Sequence, residues 1–174
     1  MIFLTLPLML MLLVPVILVE GFLCKKWLGL STWEAMKWNA VSNALSTVLG
    51  VPMVWLIMLG LELATSDVLY QTDTPLINVI SLLLSAAWIG PPDEKTAWTV
   101  PFAILVLLVP FFLVSYGIEY LVLGLMVGMP EGGPPNLAYD KVRLAVRNAN
   151  LVTYGVMFLA TSIWLVFSLP HHSR

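Results

Sequence analysis

The chain has 174 residues, of which 60% are hydrophobic and 10% are charged, and its mean hydropathy is +0.94. A soluble domain of this length does not need so apolar a composition, so the sequence predicts a single integral membrane domain covering residues 1–174. The formal net charge of −2, without a large basic patch, argues against nucleic acid and leaves membrane lipids as the expected surroundings.

Four apolar segments are long enough to cross a bilayer, because a spanning helix needs about 20 residues. In chain order they cover residues 2–24, 40–63, 98–127 and 149–169. The first segment lacks a basic region before its apolar stretch and a small-residue cleavage site after it. We therefore predict a retained helix there rather than a secretory signal.

Helix start and bend signals accompany the second and fourth segments. The sequence Ser31-Thr-Trp-Glu34 is a capping box, in which the Ser and Glu side chains each accept a hydrogen bond from a backbone N–H of the other residue. Asp140 is predicted to be the N-cap of the fourth helix. Pro52 lacks a backbone N–H and is expected to bend the second helix.

Residues 76–90 form a shorter apolar segment between Pro75 and the Pro91-Pro92 pair. As a helix they would extend about 22 Å at 1.5 Å per residue. That length is less than the roughly 30 Å hydrocarbon core of a bilayer. The segment is therefore predicted to be a short interfacial or re-entrant helix on the outer face, rather than a fifth span.

The distribution of charge predicts the orientation. Loops with an excess of Lys and Arg stay in the cytoplasm, so the first and third loops are expected there, with both termini on the outer side. Four spans agree with this arrangement, whereas five would place one basic loop on the wrong side. The basic residues of these loops are Lys25, Lys26, Lys37, Lys141, Arg143 and Arg147, while the second loop carries Asp67, Asp73, Asp93 and Glu94.

Two stretches look like copies of one membrane hairpin. In each, an apolar helix carries Glu near its end, a basic loop follows, and Asn-x-x-Ser/Thr opens the next apolar helix. Both acids are expected about 5–6 Å from the cytoplasmic end of their helices, level with the asparagines. We call the seven side chains expected to converge the polar cluster: Glu20, Asn43, Ser46, Tyr116, Glu119, Asn150 and Thr153.

A carboxyl group within a membrane is costly and usually has a partner or a task. In one interpretation each Glu hydrogen-bonds Asn across its hairpin, either protonated or ionised beside Lys37, Arg143 or Arg147, and thereby fixes helix register. In the other interpretation the polar cluster is a site for a cation, a proton, or a polar lipid or quinone head group. Both interpretations remain open at the level of sequence.

Several cofactor and enzyme classes are excluded by residue content. Cys24 is the only cysteine, so neither an intrachain disulfide nor a cysteine-cluster metal site is possible. Because His171 and His172 lie at the C-terminus, no histidine-ligated haem or chlorophyll is expected within the bundle. The common catalytic motifs are absent from the sequence. We assign no catalytic, cofactor or metal residue; any cofactor stays unidentified, and bound lipid is expected.

The repeated motif carries a resemblance. The residues are Val19-Glu20, the stretch WNAVSNALSTVLGVP from Trp38 to Pro52, and RNANLVTY from Arg147 to Tyr154. With them, the chain resembles uncharacterised small bacterial membrane proteins that have four helices and this Glu and Asn-x-x-Ser/Thr pattern. The resemblance covers most of the chain except the outer loop. It implies a four-helix topology and a bacterial inner or photosynthetic membrane, but no activity.

The sequence thus predicts an all-α membrane protein with four transmembrane helices in two similar hairpins and one short outer-face helix. The leading functional hypothesis is a non-catalytic accessory, structural or assembly subunit, whose partner is a larger membrane complex or further copies of the chain. The alternative is a small carrier or channel that uses the polar cluster. The third is a membrane enzyme with Glu20 or Glu119 as acid or base, which the missing motifs make the least favoured.

Overall fold

The computed structural model describes residues 2–71, 80, 84, 98–128 and 139–169, and the side chains of residues 10–67, 80, 84, 98–126 and 139–169. These residues contain four α-helices and no strand. The predicted short helix at 76–90 lies outside the described residues, apart from Ile80 and Leu84. The helices are α1 (Ile2–Leu28), α2 (Thr32–Gln71), α3 (Thr99–Gly128) and α4 (Tyr139–Ser168).

Three of these helices are long and apolar enough to cross a membrane: α2 over Thr32–Asp67, α3 over Thr99–Met126, and α4 along its whole length. Helix α1 has 27 residues, but its side chains are described only from Leu10 onward, so the fourth span remains a prediction. Large apolar side chains are exposed along all four helices. An all-helical membrane protein agrees with these properties, since lipid rather than water covers such surfaces.

The four helices form a closed ring in which each packs against the next: α1 on α2, α2 on α3, α3 on α4, and α4 on α1. Residues later in one helix contact residues earlier in the next helix: Glu119 contacts Asn150, and Gly124, further along α3, contacts Tyr139, nearer the start of α4. Neighbouring helices are therefore antiparallel, which is the up-down-up-down arrangement of a four-helix bundle.

The connection between α1 and α2 has only three residues and is stabilised at both ends. Gly29 has φ of +68° and donates its N–H to the carbonyl of Lys25 at 3.0 Å, which is the left-handed glycine cap of α1. Glu34 donates its N–H to Ser31 Oγ at 3.3 Å, and Ser31 donates its N–H to Glu34 Oε2 at 3.1 Å. The predicted capping box is therefore confirmed. Hydrogen bonds from the Ser31 side chain and from its backbone N–H hold the pKa of the Glu34 carboxyl below its ordinary value.

The helices extend beyond the predicted spans. Helix α2 begins at Thr32, directly after the predicted capping residue Ser31, and ends eight residues after its predicted span; α4 begins one residue before Asp140 and ten residues before its predicted span. Asp140 lies inside the first turn of α4 rather than at its N-cap, because the helix already begins at Tyr139. Pro52 lies inside α2, which remains helical on both sides of it. Hydropathy marks the apolar stretch alone, whereas the backbone hydrogen bonds continue into the polar flanks.

The core uses matching faces of α2 and α4. Buried positions on each helix follow the intervals i, i+3, i+4, i+7, i+8 and i+11, which describe one helical face. Most of these residues are small or polar, so the helices approach closely, as is common in membrane bundles. Val54 is buried further along α2. The residues that follow these intervals are Ala35, Trp38, Asn39, Ser42, Asn43 and Ser46 on α2, and Val142, Ala145, Val146, Ala149, Asn150 and Thr153 on α4.

Candidate functional site

Two glutamates lie in the centre of the bundle. Glu20 on α1 is 1% exposed, and Glu119 on α3 is 2% exposed. Glu20 precedes the end of α1 by eight residues and Glu119 precedes the end of α3 by nine, or about 12 Å and 14 Å at 1.5 Å per residue. The expected distance of 5–6 Å was therefore too short. For Glu20 the reason is that α1 continues four residues past its predicted span. For Glu119 the predicted span, which ended at residue 127, already placed the side chain eight residues from the helix end.

Glu20 accepts two side-chain hydrogen bonds. Asn43 on α2 donates its Nδ2 to Glu20 Oε2 at 2.8 Å. Thr153 on α4 donates its hydroxyl to Glu20 Oε1 at 2.7 Å. Because each oxygen has its own donor, and the donors come from the two helices that flank α1, this carboxylate ties three helices together.

Glu119 accepts hydrogen bonds from three side chains. Asn150 on α4 donates its Nδ2 to Glu119 Oε2 at 2.6 Å. Ser115, one turn earlier on α3, lies 2.7 Å from Glu119 Oε1, and Ser46 on α2 lies 3.2 Å from the same oxygen. Ser115 and Ser46 also lie 3.3 Å from each other. This carboxylate therefore joins α3 to both of its neighbours.

The two carboxylates are bound in the same manner. Each accepts an amide hydrogen bond from the helix that follows it in the chain and a hydroxyl hydrogen bond from the helix on its other side. In α2 and in α4 the amide and the hydroxyl are three residues apart, which places them on one helical face. The resulting network connects all four helices at a single level of the bundle.

The asparagine side chains are also fixed by their own helices. The Nδ2 of Asn43 lies 3.1 Å from the carbonyl of Asn39, and the Nδ2 of Asn150 lies 3.2 Å from the carbonyl of Val146. An amide nitrogen has two N–H groups, so each asparagine can satisfy a main-chain carbonyl and a glutamate together. Both amides are therefore oriented before they meet the carboxylates.

The hydroxyl partners have two acceptors within reach. Thr153 Oγ is 2.7 Å from Glu20 and also 3.1 Å from the main-chain carbonyl three residues earlier in α4. Ser46 Oγ is 3.2 Å from Glu119 and 3.1 Å from the corresponding carbonyl of α2. Each hydroxyl has one hydrogen, so it donates either to the carboxylate or to the carbonyl. In the second case it accepts a hydrogen bond from the protonated carboxyl group, and the site accommodates either protonation state.

One acceptor of the network has no partner among the described residues. Asn150 is fully buried, and its Oδ1 makes no hydrogen bond to any of them. A buried polar atom without a partner costs roughly 1–3 kcal/mol, so such atoms are uncommon and often mark a functional group. Within the same part of the chain no three His, Cys, Asp or Glu side chains come together as a metal cluster. The oxygen-rich site suits protons or weakly bound hard cations.

The structure brings six members of the polar cluster together and leaves one outside. Tyr116 stacks between Phe112 and Tyr120, with ring centroids 6.3 Å and 6.4 Å away, and interacts with Arg143. The three suggested charge partners are exposed. None of the hydrogen bonds that reach either carboxylate from the described residues comes from them. The network is therefore built from amides and hydroxyls.

Ser115 and Cys24 also belong to this region, although neither was placed in the polar cluster from sequence. Ser115 precedes Glu119 by four residues, and this spacing, which puts both on one face of α3, was the available signal. Cys24 follows Glu20 by four residues and is a buried free thiol that hydrogen-bonds Asn39. These side chains extend the buried polar region one turn along the bundle.

Comparison with known proteins adds no assignment: no family model matches the chain, and neither a curated protein nor a solved structure matches it significantly.

Proposed function

We propose that the chain is a non-catalytic accessory, structural or assembly subunit of a larger membrane protein complex. The glutamate–amide–hydroxyl network is then an internal clamp that fixes the register of two similar membrane hairpins, α1–α2 and α3–α4. The observation that carries the proposal is that every carboxylate oxygen of Glu20 and Glu119 already has a donor within the bundle. Groups satisfied in this way stabilise a fold rather than wait for a substrate.

The surface supports the same role. Apolar side chains face outward on α1, α2 and α4 at positions such as Met11, Val48 and Phe167, which are 74%, 68% and 77% exposed. In a bilayer these faces contact lipid or the helices of another subunit, and the hydrophobic effect does not distinguish the two. A small bundle whose buried carboxylates have donors and whose apolar faces lie on several sides is suited to packing against a larger assembly.

The orientation of the chain in the membrane belongs to the same proposal. The end of α1, the start of α2 and the start of α4 carry six of the eight Lys and Arg residues, so they are placed in the cytoplasm, with both termini outside. We place the protein in a bacterial inner or photosynthetic membrane, as the resemblance implies. Cysteine-labelling of each connection in intact and opened cells tests the orientation, and modification of the basic connections in intact cells would contradict it.

The test of the main proposal is purification from native membranes in a mild detergent, with mass spectrometry of the co-eluting proteins. A larger membrane protein present at constant stoichiometry is the expected result. Elution alone or as a homo-oligomer, at detergent concentrations that preserve known complexes of the same membrane, would contradict it. In parallel, Glu119→Ala should reduce incorporation into the complex, whereas Leu125→Ala on the exposed side of the same helix should not.

A second candidate function is a small carrier for protons or a monovalent cation. Two observations favour it: the Oδ1 of Asn150 without a partner among the described residues, and the hydroxyls of Ser46 and Thr153 that have alternative acceptors. A group that binds and releases a proton needs neighbours whose hydrogen bonds reverse at low cost. These two hydroxyls meet that requirement.

Flux through proteoliposomes separates the two candidates. Proton or cation flux by the purified wild-type chain, lost in Glu20→Gln and Glu119→Gln variants that remain helical and monodisperse, would establish the carrier. Absence of flux above that of empty liposomes, with orientation and incorporation verified, would eliminate it. Because Gln keeps the size and hydrogen-bonding capacity of Glu, the clamp should tolerate these variants better than Ala variants.

A further inference from the structure

The side of α4 that points away from the bundle carries a groove that plays no part in the buried network. It has a volume of about 200 Å³ and is lined by Asp140, Arg143, Leu144 and Arg147. These residues follow the intervals i, i+3, i+4 and i+7, so they share one helical face. The buried residues of α4 lie on the other side of the helix, and the groove therefore opens away from the bundle core.

Arg147 carries the least compensated charge of the groove. Its side chain is exposed, and within the described residues its guanidinium contacts only Asn148 Oδ1, at a long 3.4 Å. It lies eight residues after the start of α4 and three before Asn150, or about 12 Å and 4.5 Å along the helix. This uncompensated guanidinium points away from the bundle and lies less than one helical turn from the level of Glu20 and Glu119. It therefore requires water or an anion.

The rest of the groove is amphiphilic. Leu144 lies between the two arginines and is 49% exposed, and Leu151 continues the same face two turns further at 52% exposure. Arg143 also interacts with Tyr116 on α3. Asp140 also lines the groove and opposes an anion, so the two arginines leave a net charge of +1 there. A cationic rim above exposed leucines matches a molecule with an anionic head and an apolar tail.

We propose that this groove binds the phosphate of an anionic phospholipid. The phosphate lies between the guanidiniums of Arg143 and Arg147, on the side away from Asp140, and an acyl chain follows Leu144 and Leu151. Arginine suits this task because its planar group donates two parallel hydrogen bonds to phosphate oxygens. The site is independent of the role of the buried network, and its success or failure leaves the subunit and carrier proposals untouched.

The test is native mass spectrometry of the purified full chain with phosphatidylglycerol or phosphatidylcholine added at equal concentration. We expect tighter retention of phosphatidylglycerol by the wild type. The double variant Arg143→Gln/Arg147→Gln should weaken this binding on the order of tenfold or more, since each basic residue near the surface contributes several-fold. Lys37→Gln, a neutralised exposed cation on α2, should change it by less than about twofold.

Two comparisons distinguish a lipid site from a free-anion site and from general surface charge. Excess inorganic phosphate should not displace the lipid, because it lacks the tail that contacts the leucines; displacement at concentrations similar to the lipid would overturn the proposal in favour of a free-anion site. Equal losses in Lys37→Gln and the arginine variant would overturn it in favour of general surface charge. Equal retention of both lipids by the wild type would also overturn it. Circular dichroism confirms that the variants remain helical.

Discussion

The two buried glutamates occupy equivalent places in the bundle but differ in how well they are satisfied. Glu20 accepts two side-chain hydrogen bonds, from Asn43 and Thr153. Glu119 accepts three, because Ser115 adds a hydroxyl from one turn earlier in its own helix. The position that corresponds to Ser115 on α1 is Val16, which has no polar group. The same arrangement of helices therefore holds one carboxylate more firmly than the other.

The difference indicates which part of the network is essential and which is additional. The amide from the next helix and the hydroxyl from the opposite helix are common to both sites, and they are the bonds that cross helix boundaries. The bond from Ser115 stays within α3, so it satisfies an oxygen without joining two helices. Variants at the two sites should therefore have unequal effects, even though their surroundings are similar.

The largest expected effect comes from removing each carboxyl group. Glu119→Ala eliminates three hydrogen bonds and should destabilise the bundle by about 2–5 kcal/mol, whereas Glu20→Ala eliminates two and should cost about 1–3 kcal/mol. Unfolding in mixed micelles, followed by circular dichroism, measures both. Leu125→Ala and Leu18→Ala, at exposed positions of the same helices, are the controls. A greater loss for Glu20→Ala would contradict the proposed ranking.

The two hydroxyl bonds that join α1–α2 to α3–α4 should rank in the opposite order: removing the bond to Glu20 should cost more than removing the bond to Glu119. Thr153→Val removes the hydroxyl at nearly constant shape and leaves Glu20 with Asn43 alone, so we expect a loss of about 1–2 kcal/mol. Ser46→Ala leaves Glu119 with two donors and should cost about 0.6 kcal/mol. The same unfolding measurement applies. Equal losses would mean that Ser115 does not compensate for Ser46.

A gain-of-function substitution tests the asymmetry directly. Val16→Ser places a hydroxyl one turn before Glu20, where Ser115 stands relative to Glu119, and should stabilise the bundle by about 0.6 kcal/mol. It should also reduce the cost of Thr153→Val in the double variant. Simple additivity of the two substitutions would show that the new hydroxyl does not reach the carboxylate. Leu18→Ser, on an exposed part of α1, is the matched control.

The smallest effect is expected at the start of α2, outside the buried network. Ser31 lowers the pKa of Glu34, so the contribution of the capping box is complete above the ordinary Glu pKa of about 4.3 and is lost as the pH falls through the lower folded value. The amide NMR signal of Ser31 should therefore titrate below about pH 4.3. Ser31→Ala loses the hydroxyl but keeps the backbone N–H, so the Glu34 carboxyl should titrate closer to its ordinary value than in the wild type; an unchanged midpoint would contradict the assignment.

Much of this protein could be predicted from sequence because its strongest signals are local. Apolar runs of about 20 residues indicated helices, and the spacing of Ser31 and Glu34 predicted bonds that the structure contains. The positions of Glu20 and Asn43 also suggested contact across a short connection, and the structure brings them to 2.8 Å. The C-terminal ends of α1 and α2 were less accurate, because hydropathy does not report the backbone hydrogen bonds that continue past an apolar segment.

Contacts across the bundle were decided only by tertiary structure. The sequence predicted that Ser46 and Thr153 would join the polar cluster, but not that Thr153 would bind Glu20, 133 positions away, or that Ser46 would bind Glu119. The four-residue spacing of Ser115 and Glu119 was a local signal for the bond between them, yet the predicted cluster contained the neighbouring Tyr116 instead. Such choices depend on the rotation of each helix about its axis, which is set by packing against two neighbours at once. The sequence by itself determined the helices and their polar residues, and packing determined which of those residues meet.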